Sequence, residues 1–216
     1  MMYRTPAENF DNTSCYSSYP VLTNIGPLNT YYLDRLLSVI DRALIDHPRT
    51  LAIRCDLRLP EGYGDVGSDL MTKFFESLKA QIRADLFRRA AEGKRVHECN
   101  VRYAWVRERY DSDAPHFHVV ILLNHDTYHT LGAYSDDQGR NMASRIKRAW
   151  ASALRRLPEH MLGLVHFPIN PLYSLNTNSY DFERTKADLF RRLSYFAKLE
   201  TKEYGTGSRS FGCSQR

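Results

Sequence analysis

The sequence predicts an α+β protein, with an antiparallel sheet in a two-layer packing and helices mainly on one face. Three observations lead to that class. Pro115 to Asn124 is a β-branched, apolar run of strand length that ends in a polar residue. Leu51 to Leu59 shows the cleanest alternation in the chain, with Leu51, Ile53, Cys55, Leu57 and Leu59 on one side and Arg54, Asp56 and Arg58 on the other. Segments of helical period separate the strand-like stretches, giving the order helix, strand, helix, strand, hairpin strand, helix, strand, helix.

Residues 1–28 are rich in Asn, Ser, Tyr and Pro and are assigned to an extended N-terminal arm, with the folded domain over 29–216. Asn29 is a suitable N-cap for a helix to about Asp46, whose Leu33, Leu36, Leu37, Ile40 and Leu44 share one face; His47-Pro48 ends it. Pro60 to Gly67 reads as a loop. Ser68 caps a long helix to about Ala91, which Gly93 closes. Val101 to Tyr110 is expected to be a strand, joined by the hairpin-sized turn Asp111–Ala114 to the strand from Pro115. Tyr128 to Tyr134 carries no clear signal beyond a short helical turn. A basic amphipathic helix is expected from Asn141 to Leu157, with Met142, Ile146, Trp150, Ala153 and Leu157 inward and Arg145, Lys147, Arg148, Arg155 and Arg156 outward. Gly163 to Ile169 reads as a strand and Asn170 to Tyr180 as turns. Asp181 to Lys202 reads as one last helix, and Gly205 to Gly212 as a Gly/Ser loop.

The 216 residues suffice for one domain with a full core. Hydrophobic content of 43% and charged content of 25% are ordinary for a soluble globular protein. A net charge of +5 and a pI near 9.0 permit a polyanionic partner without requiring one. Cys15, Cys55, Cys99 and Cys213 form no C-x-x-C pair, which argues against a zinc ribbon and a disulfide framework and for a reducing cytoplasm. No apolar run reaches the roughly 18 residues of a membrane span, so none is expected. The polar N-terminal residues argue against an export signal.

Candidate chemistry lies on the strand from Pro115. His116 and His118 share one face, about 6.5 Å apart, while Phe117, Val119, Ile121 and Leu123 face the core. Two imidazoles on a rigid strand can share one metal ion, although an isolated His-x-His is equally compatible with two ordinary histidines. Glu108 becomes a third ligand if the hairpin sets it opposite His116 or His118. A slip of one residue would turn it away, leaving a solvated charge between Arg107 and Arg109. On the last helix Tyr195 has Arg191, Arg192, Lys198 and Lys202 within about 60° of it, opposite the apolar Leu189, Phe190, Leu193, Phe196 and Ala197. A free tyrosine titrates near pH 10, and nearby cations favour its phenolate and would also hold a phosphate. Tyr-x-x-Lys alone is a weak pattern; its value comes from the metal strand upstream.

Together, the His-hydrophobic-His strand, the carboxylate on the preceding hairpin strand and the helical Tyr-x-x-Lys resemble the HUH endonuclease superfamily. The element order is similar to that superfamily's ferredoxin-like two-layer sandwich. The stretch Tyr103-Ala104-Trp105-Val106-Arg107-Glu108 through Pro115–His118 to Asn124, with the Arg209-Ser210-Phe211-Gly212 tail, resembles one family within it more closely. This is the inoviral gene-two-type replication proteins, the YagK/YfjJ C-terminal domain family. The resemblance covers roughly residues 30 to 214.

It implies that His116, His118 and Glu108 bind a divalent ion, Mg²⁺ or Mn²⁺ by the superfamily's habit. By ligand softness Zn²⁺ remains open. Tyr195 would attack the scissile phosphate of single-stranded origin DNA, with Lys198 assisting and Arg191, Arg192, Lys202, Arg145, Arg148 and Arg155 contacting DNA. The function implied is phage or prophage rolling-circle replication initiation in a bacterial cytoplasm. No helicase P-loop is present, so a host helicase is the expected partner. No residue one turn after Tyr195 is a second tyrosine: that position is Leu199, and Tyr204 lies nine residues on. Two readings compete, a non-catalytic prophage DNA-binding regulator on the same scaffold and a small-molecule metallophosphoesterase. Position 120 is Val, which counts against the histidine-triad hydrolases.

Overall fold

Val119, Ile121 and Leu123 point to one side of the sheet and Val120 and Leu122 to the other, and all five are buried. The sheet therefore has two apolar surfaces to cover, and helices cover both. The computed structural model describes residues 10–11, 14–64, 67, 69–109, 115–134, 139–157, 163–200, 202 and 209–215. Within them the elements are β1 (Phe10–Asp11), β2 (Cys15–Tyr16), β3 (Tyr19–Pro20), β4 (Leu28–Asn29), α1 (Thr30–Asp46), β5 (Arg49–Arg58), α2 (Asp69–Ala91), β6 (Arg102–Glu108), β7 (His116–Asn124), α3 (Met142–Leu154), β8 (Val165–His166), β9 (Leu172–Asn176), α4 (Phe182–Leu193) and β10 (Phe211–Cys213). The main sheet runs β10-β6-β7-β5, and β5 pairs on its other edge with both β8 and β9. All these pairings are antiparallel.

The fold is thus α+β with an antiparallel sheet, but the expected placement of helices mainly on one face is corrected. One face carries Leu51, Ile53, Phe117 and Val119 against α2 and α3, around the buried Trp150. The other carries Ala52, Ala104, Val106, Val120 and Leu122 against α1 and α4. The continuous apolar run of β7 is the sequence mark of a strand buried on both sides. On β5 the second face is charged only toward the end at Arg54, Asp56 and Arg58, and there the helical cover gives way to the site.

Helix starts follow the sequence where it had cap residues. Asn29 accepts from the Tyr32 N–H at 3.2 Å and Asn141 from the Ser144 N–H at 2.8 Å. The Ser68 cap and the turn at 111–114 lie outside the described residues. Tyr128 to Tyr134 forms no helix, although Tyr128 and Leu131 are buried. α3 stops at Leu154, with Arg155 in the left-handed region at φ 54°, so Leu157 is exposed instead of inward.

Three further departures shape the site. The strand expected over Gly163–Ile169 shrinks to β8, and β9 forms inside the stretch read as turns, because β5 supplies the pairing edge for both. The Gly/Ser tail ends in β10, where Gly212 faces Trp105; a Cβ there would come within 2.6 Å of the indole, so only glycine fits. The last helix ends nine residues early, at Leu193, and a 3₁₀ turn over Ser194–Ala197 follows. Residues 14–28 lie against this region. Leu22 N–H donates to Ser194 Oγ at 3.0 Å, and Tyr19 stacks at an angle on Phe190, 5.6 Å between centroids.

Candidate metal centre and tyrosine

Register assembles the centre. Glu108 pairs with His116, Val106 with His118, Asp56 with His118, Arg58 with His116, and His166 with Asp56. Residues directly opposite in an antiparallel pair project to the same face. Four strands therefore present Glu108, His116, His118, Asp56, Arg58 and His166 on the face covered by α1 and α4. This is the Glu108 register in which all three expected ligands share a side.

The two Nε2 atoms of His116 and His118 lie 3.2 Å apart, and His118 Nε2 lies 3.2 Å from Glu108 Oε2. Among the described residues, Glu108, His116 and His118 form the group whose ligand atoms all fall within 4.8 Å of one another. Neighbouring ligands about 2.1 Å from an ion stand about 3.0 Å apart at right angles and about 3.4 Å apart in a tetrahedron. The two 3.2 Å spacings lie between, and the third pair falls within 4.8 Å, so the three side chains suit one divalent ion. Behind them, Asp56 Oδ1 lies 2.6 Å from His118 Nδ1 and its Oδ2 lies 3.2 Å from His166 Nδ1. A carboxylate on Nδ1 fixes the tautomer that offers Nε2 to a metal, the usual support of a ligating histidine.

The electrostatics agree. Burial would lower the His118 pKa, but hydrogen bonds to Asp56 and Glu108 and their charges raise it above the ordinary value. Burial and the charge on His118 lower that of His116. Burial alone would raise the Glu108 pKa; the His118 hydrogen bond and the Lys202 charge hold it at about 2.

Tyr195 joins this cluster from the 3₁₀ turn. Its hydroxyl donates to Glu108 Oε2 at 3.3 Å, and its ring meets that of His118 edge-on, 5.3 Å between centroids. It is half-buried, not fully outward. Its pKa is pushed up to about 12, by burial first and then by the charge and hydrogen bond of Glu108. The expected lowering by a ring of cations is therefore corrected. That ring assumed a continuous helix, but the helix ends at Leu193, after Arg191 and Arg192 and before Lys198 and Lys202. Lys198 is extended, at φ −53° and ψ 134°, and pairs with Glu200 at 3.3 Å. Lys202, expected as an exposed DNA contact, instead has a fully buried side chain whose ammonium pairs with Glu108 Oε1. Arg191 is exposed, and Arg192 donates to the Ile169 carbonyl at 3.2 Å.

The α3 cations lie on the other side of the sheet. Arg145, expected outward, is only 5% exposed and pairs with Asp85 at 2.6 Å, because α3 packs on α2 at that point. Arg148 is half-buried and donates to the Gly139 carbonyl at 2.8 Å; Arg155 is exposed. The sequence reading passed over three members of the centre. Asp56 was visible as a polar position on an alternating strand. His166 followed Val165 in the expected strand. Arg54 sits beside Asp56, buried at 6% exposure, with its guanidinium 5.5 Å from the Phe196 ring centroid.

A family model, the YagK/YfjJ C-terminal domain, matches residues 12–214, and the chain belongs to that family. It is 39% identical over 178 residues to the uncharacterized protein YagK of Escherichia coli (strain K12), covering 78% of this chain and 85% of that protein. It is 35% identical over 205 residues to the uncharacterized protein YfjJ of the same organism, covering 89% of this chain and 98% of that one. No solved structure matches it. No helix among the described residues is long and apolar enough to cross a membrane.

Proposed function

We propose that this chain is an HUH-type DNA-nicking enzyme that initiates rolling-circle replication of a phage or prophage. The observation that carries the reading is the single oxygen Glu108 Oε2, which meets both His118 Nε2 and the Tyr195 hydroxyl. A nucleophile and a candidate metal site thus share one carboxylate, within the reach that phosphoryl transfer requires.

His116, His118 and Glu108 would hold the ion, Mg²⁺ or Mn²⁺ on the superfamily resemblance. The ion would polarise the scissile phosphate and favour ionisation of nearby hydroxyls. Tyr195 Oη attacks phosphorus, and the bond from phosphorus to the 3′ oxygen breaks. Tyrosine then carries the 5′ phosphate, and the tyrosine proton ends on the freed 3′-hydroxyl, which can prime synthesis. Burial and the hydrogen bond to Glu108 make the phenol a poor nucleophile, and an ion held by Glu108 would supply charge that offsets this. Asp56 keeps the His118 ring aligned. Arg58, exposed and paired in register with His116, and Arg191 are placed to meet the DNA backbone. The fold proposed is the ferredoxin-related one of HUH enzymes, working in a bacterial cytoplasm with a host helicase to unwind the duplex.

The second reading, a DNA-binding prophage regulator without turnover, draws on the raised Tyr195 pKa and on the prior pairing of Glu108 with Lys202. The test uses single-stranded origin DNA labelled at its 5′ end, with Mn²⁺. The enzyme reading expects a shortened labelled product whose 3′ end a polymerase extends, and no product from the His116→Ala, His118→Ala protein. Binding without cleavage on the verified origin favours the regulator.

A further inference from the structure

The Tyr-x-x-Lys spacing nominates Lys198 as the lysine of the site, yet the chain geometry puts Lys198 elsewhere. After the 3₁₀ turn the backbone is extended, and residues 198–199 are held by the N-terminal segment. Lys198 bridges to Leu28, and Leu199 N–H donates to the Pro27 carbonyl at 3.3 Å. That path pairs Lys198 with Glu200, and the lysine that pairs with Glu108 is Lys202. A turn then closes with Lys202 N–H on the Leu199 carbonyl at 3.1 Å, and the Lys202 side chain enters the interior. Its side chain is 0% exposed, and Glu108, 1% exposed, is its ion-pair partner. A buried ammonium is costly unless matched to a charge, so the two groups form a matched pair.

The pairing divides the carboxylate. Lys202 takes Oε1, and Oε2 is left facing His118 and Tyr195. Resting on the metal reading above, we propose that Lys202, not Lys198, is the positioning lysine of this centre, limiting Glu108 to one oxygen for the ion. The ion then keeps a position for a phosphate oxygen that a two-oxygen carboxylate would occupy. The same lysine places a fixed positive charge beside the ion, which weakens metal binding in exchange for that open position.

This predicts opposite shifts in binding and turnover. Mn²⁺ affinity, read by calorimetry on the full chain, should become at least about fivefold tighter in Lys202→Met, because a repelling charge is gone and Oε1 is free. Cleavage of origin DNA by the same protein should fall. Lys202→Arg should return affinity toward wild type, and Lys198→Met should leave it unchanged. Unchanged or weaker Mn²⁺ binding by Lys202→Met, or the same tightening in Lys198→Met, overturns the proposal. Thermal unfolding without metal guards against misfolding. Lys202→Met should lower Tm by roughly 5–10 °C, and the Glu108→Gln, Lys202→Met double variant should regain most of it. A double variant as unstable as the single one also overturns the proposal, since Lys202 would then only anchor its segment. If wild type binds no Mn²⁺ at all, the metal reading itself falls, which is a separate result.

Discussion

Two clusters of buried charge lie on opposite sides of one sheet, and they differ in how their polar atoms are used. On the α2–α3 side, Asp85 accepts from Arg88 at 2.6 Å and from the Tyr128 hydroxyl at 2.9 Å, and pairs with Arg145 at 2.6 Å. Both carboxylate oxygens are met by donors, and the network closes on itself. On the α1–α4 side, two imidazole nitrogens and a carboxylate oxygen converge within 4.8 Å, with Asp56 and Lys202 fixing their far ends. Burial of charge is common to both. A tyrosine hydroxyl meets a carboxylate in both, Tyr128 on Asp85 and Tyr195 on Glu108, so convergence of metal-ligating atoms on one point is what sets the second apart.

The largest expected effect separates the clusters by metal. His116→Ala with His118→Ala should weaken Mn²⁺ binding by roughly a thousandfold or more, since two of three ligands go; calorimetry reads this directly, and unchanged binding would remove the centre. Exchanging the supporting carboxylates sharpens the contrast. Asp56→Asn should cost about 10- to 100-fold in Mn²⁺ affinity, the usual effect of losing a ligand's support. Asp85→Ala should leave Mn²⁺ affinity alone and cost about 3 kcal/mol of stability in urea unfolding, because it strands Arg145 without its partner.

The clusters should also answer to pH in different windows. Despite burial, His118 has a pKa raised above its ordinary value by Asp56 and Glu108, so its proton competes with the ion, and Mn²⁺ affinity should drop as pH falls through that raised value. Burial would raise the Asp85 pKa, but hydrogen bonds from Arg88 and Tyr128 and the Arg145 charge lower it overall. A carboxylate with a lowered folded pKa adds stability that is fully present above about pH 4 and is lost as pH falls toward the folded value. Urea unfolding between pH 6 and pH 2 should show that loss in wild type and a smaller one in Asp85→Ala. The smallest effect concerns the rim: Arg191→Ala should reduce the log–log salt slope of single-strand binding by about 0.7 if it meets one phosphate. An unchanged slope would take Arg191 out of the interface.

Much of this was legible in the residues, and what was not has a physical reason. The β6–β7 pairing is local, so alternation could offer Glu108 to the histidine face, but a one-residue slip was open until the register set Glu108 against His116. Asp56 showed as polar on an alternating strand, but its pairing with His118 spans 62 residues and no local pattern encodes it. Arg145 looked outward because its partner Asp85 lies on another helix. The second layer of helices was written in the unbroken apolar run Val119–Leu123, which the charged end of β5 outweighed. Lys202 was misplaced because α4 ends where tertiary contacts end it. Ser194 Oγ accepts from Leu22 and donates to the Arg191 carbonyl, so helical spacing fails beyond that point.

The central claim is that Tyr195 and the histidine–glutamate centre act as one site on DNA. Its most direct measurement is the intact mass of the protein after incubation with Mn²⁺ and single-stranded origin DNA, followed by mapping of the modified peptide. The account predicts a covalent nucleotide adduct on Tyr195, absent without Mn²⁺ and absent in Tyr195→Phe, while that variant still binds the DNA. An adduct that persists in Tyr195→Phe would move the nucleophile elsewhere, and wild type with no adduct on a verified origin would contradict the account.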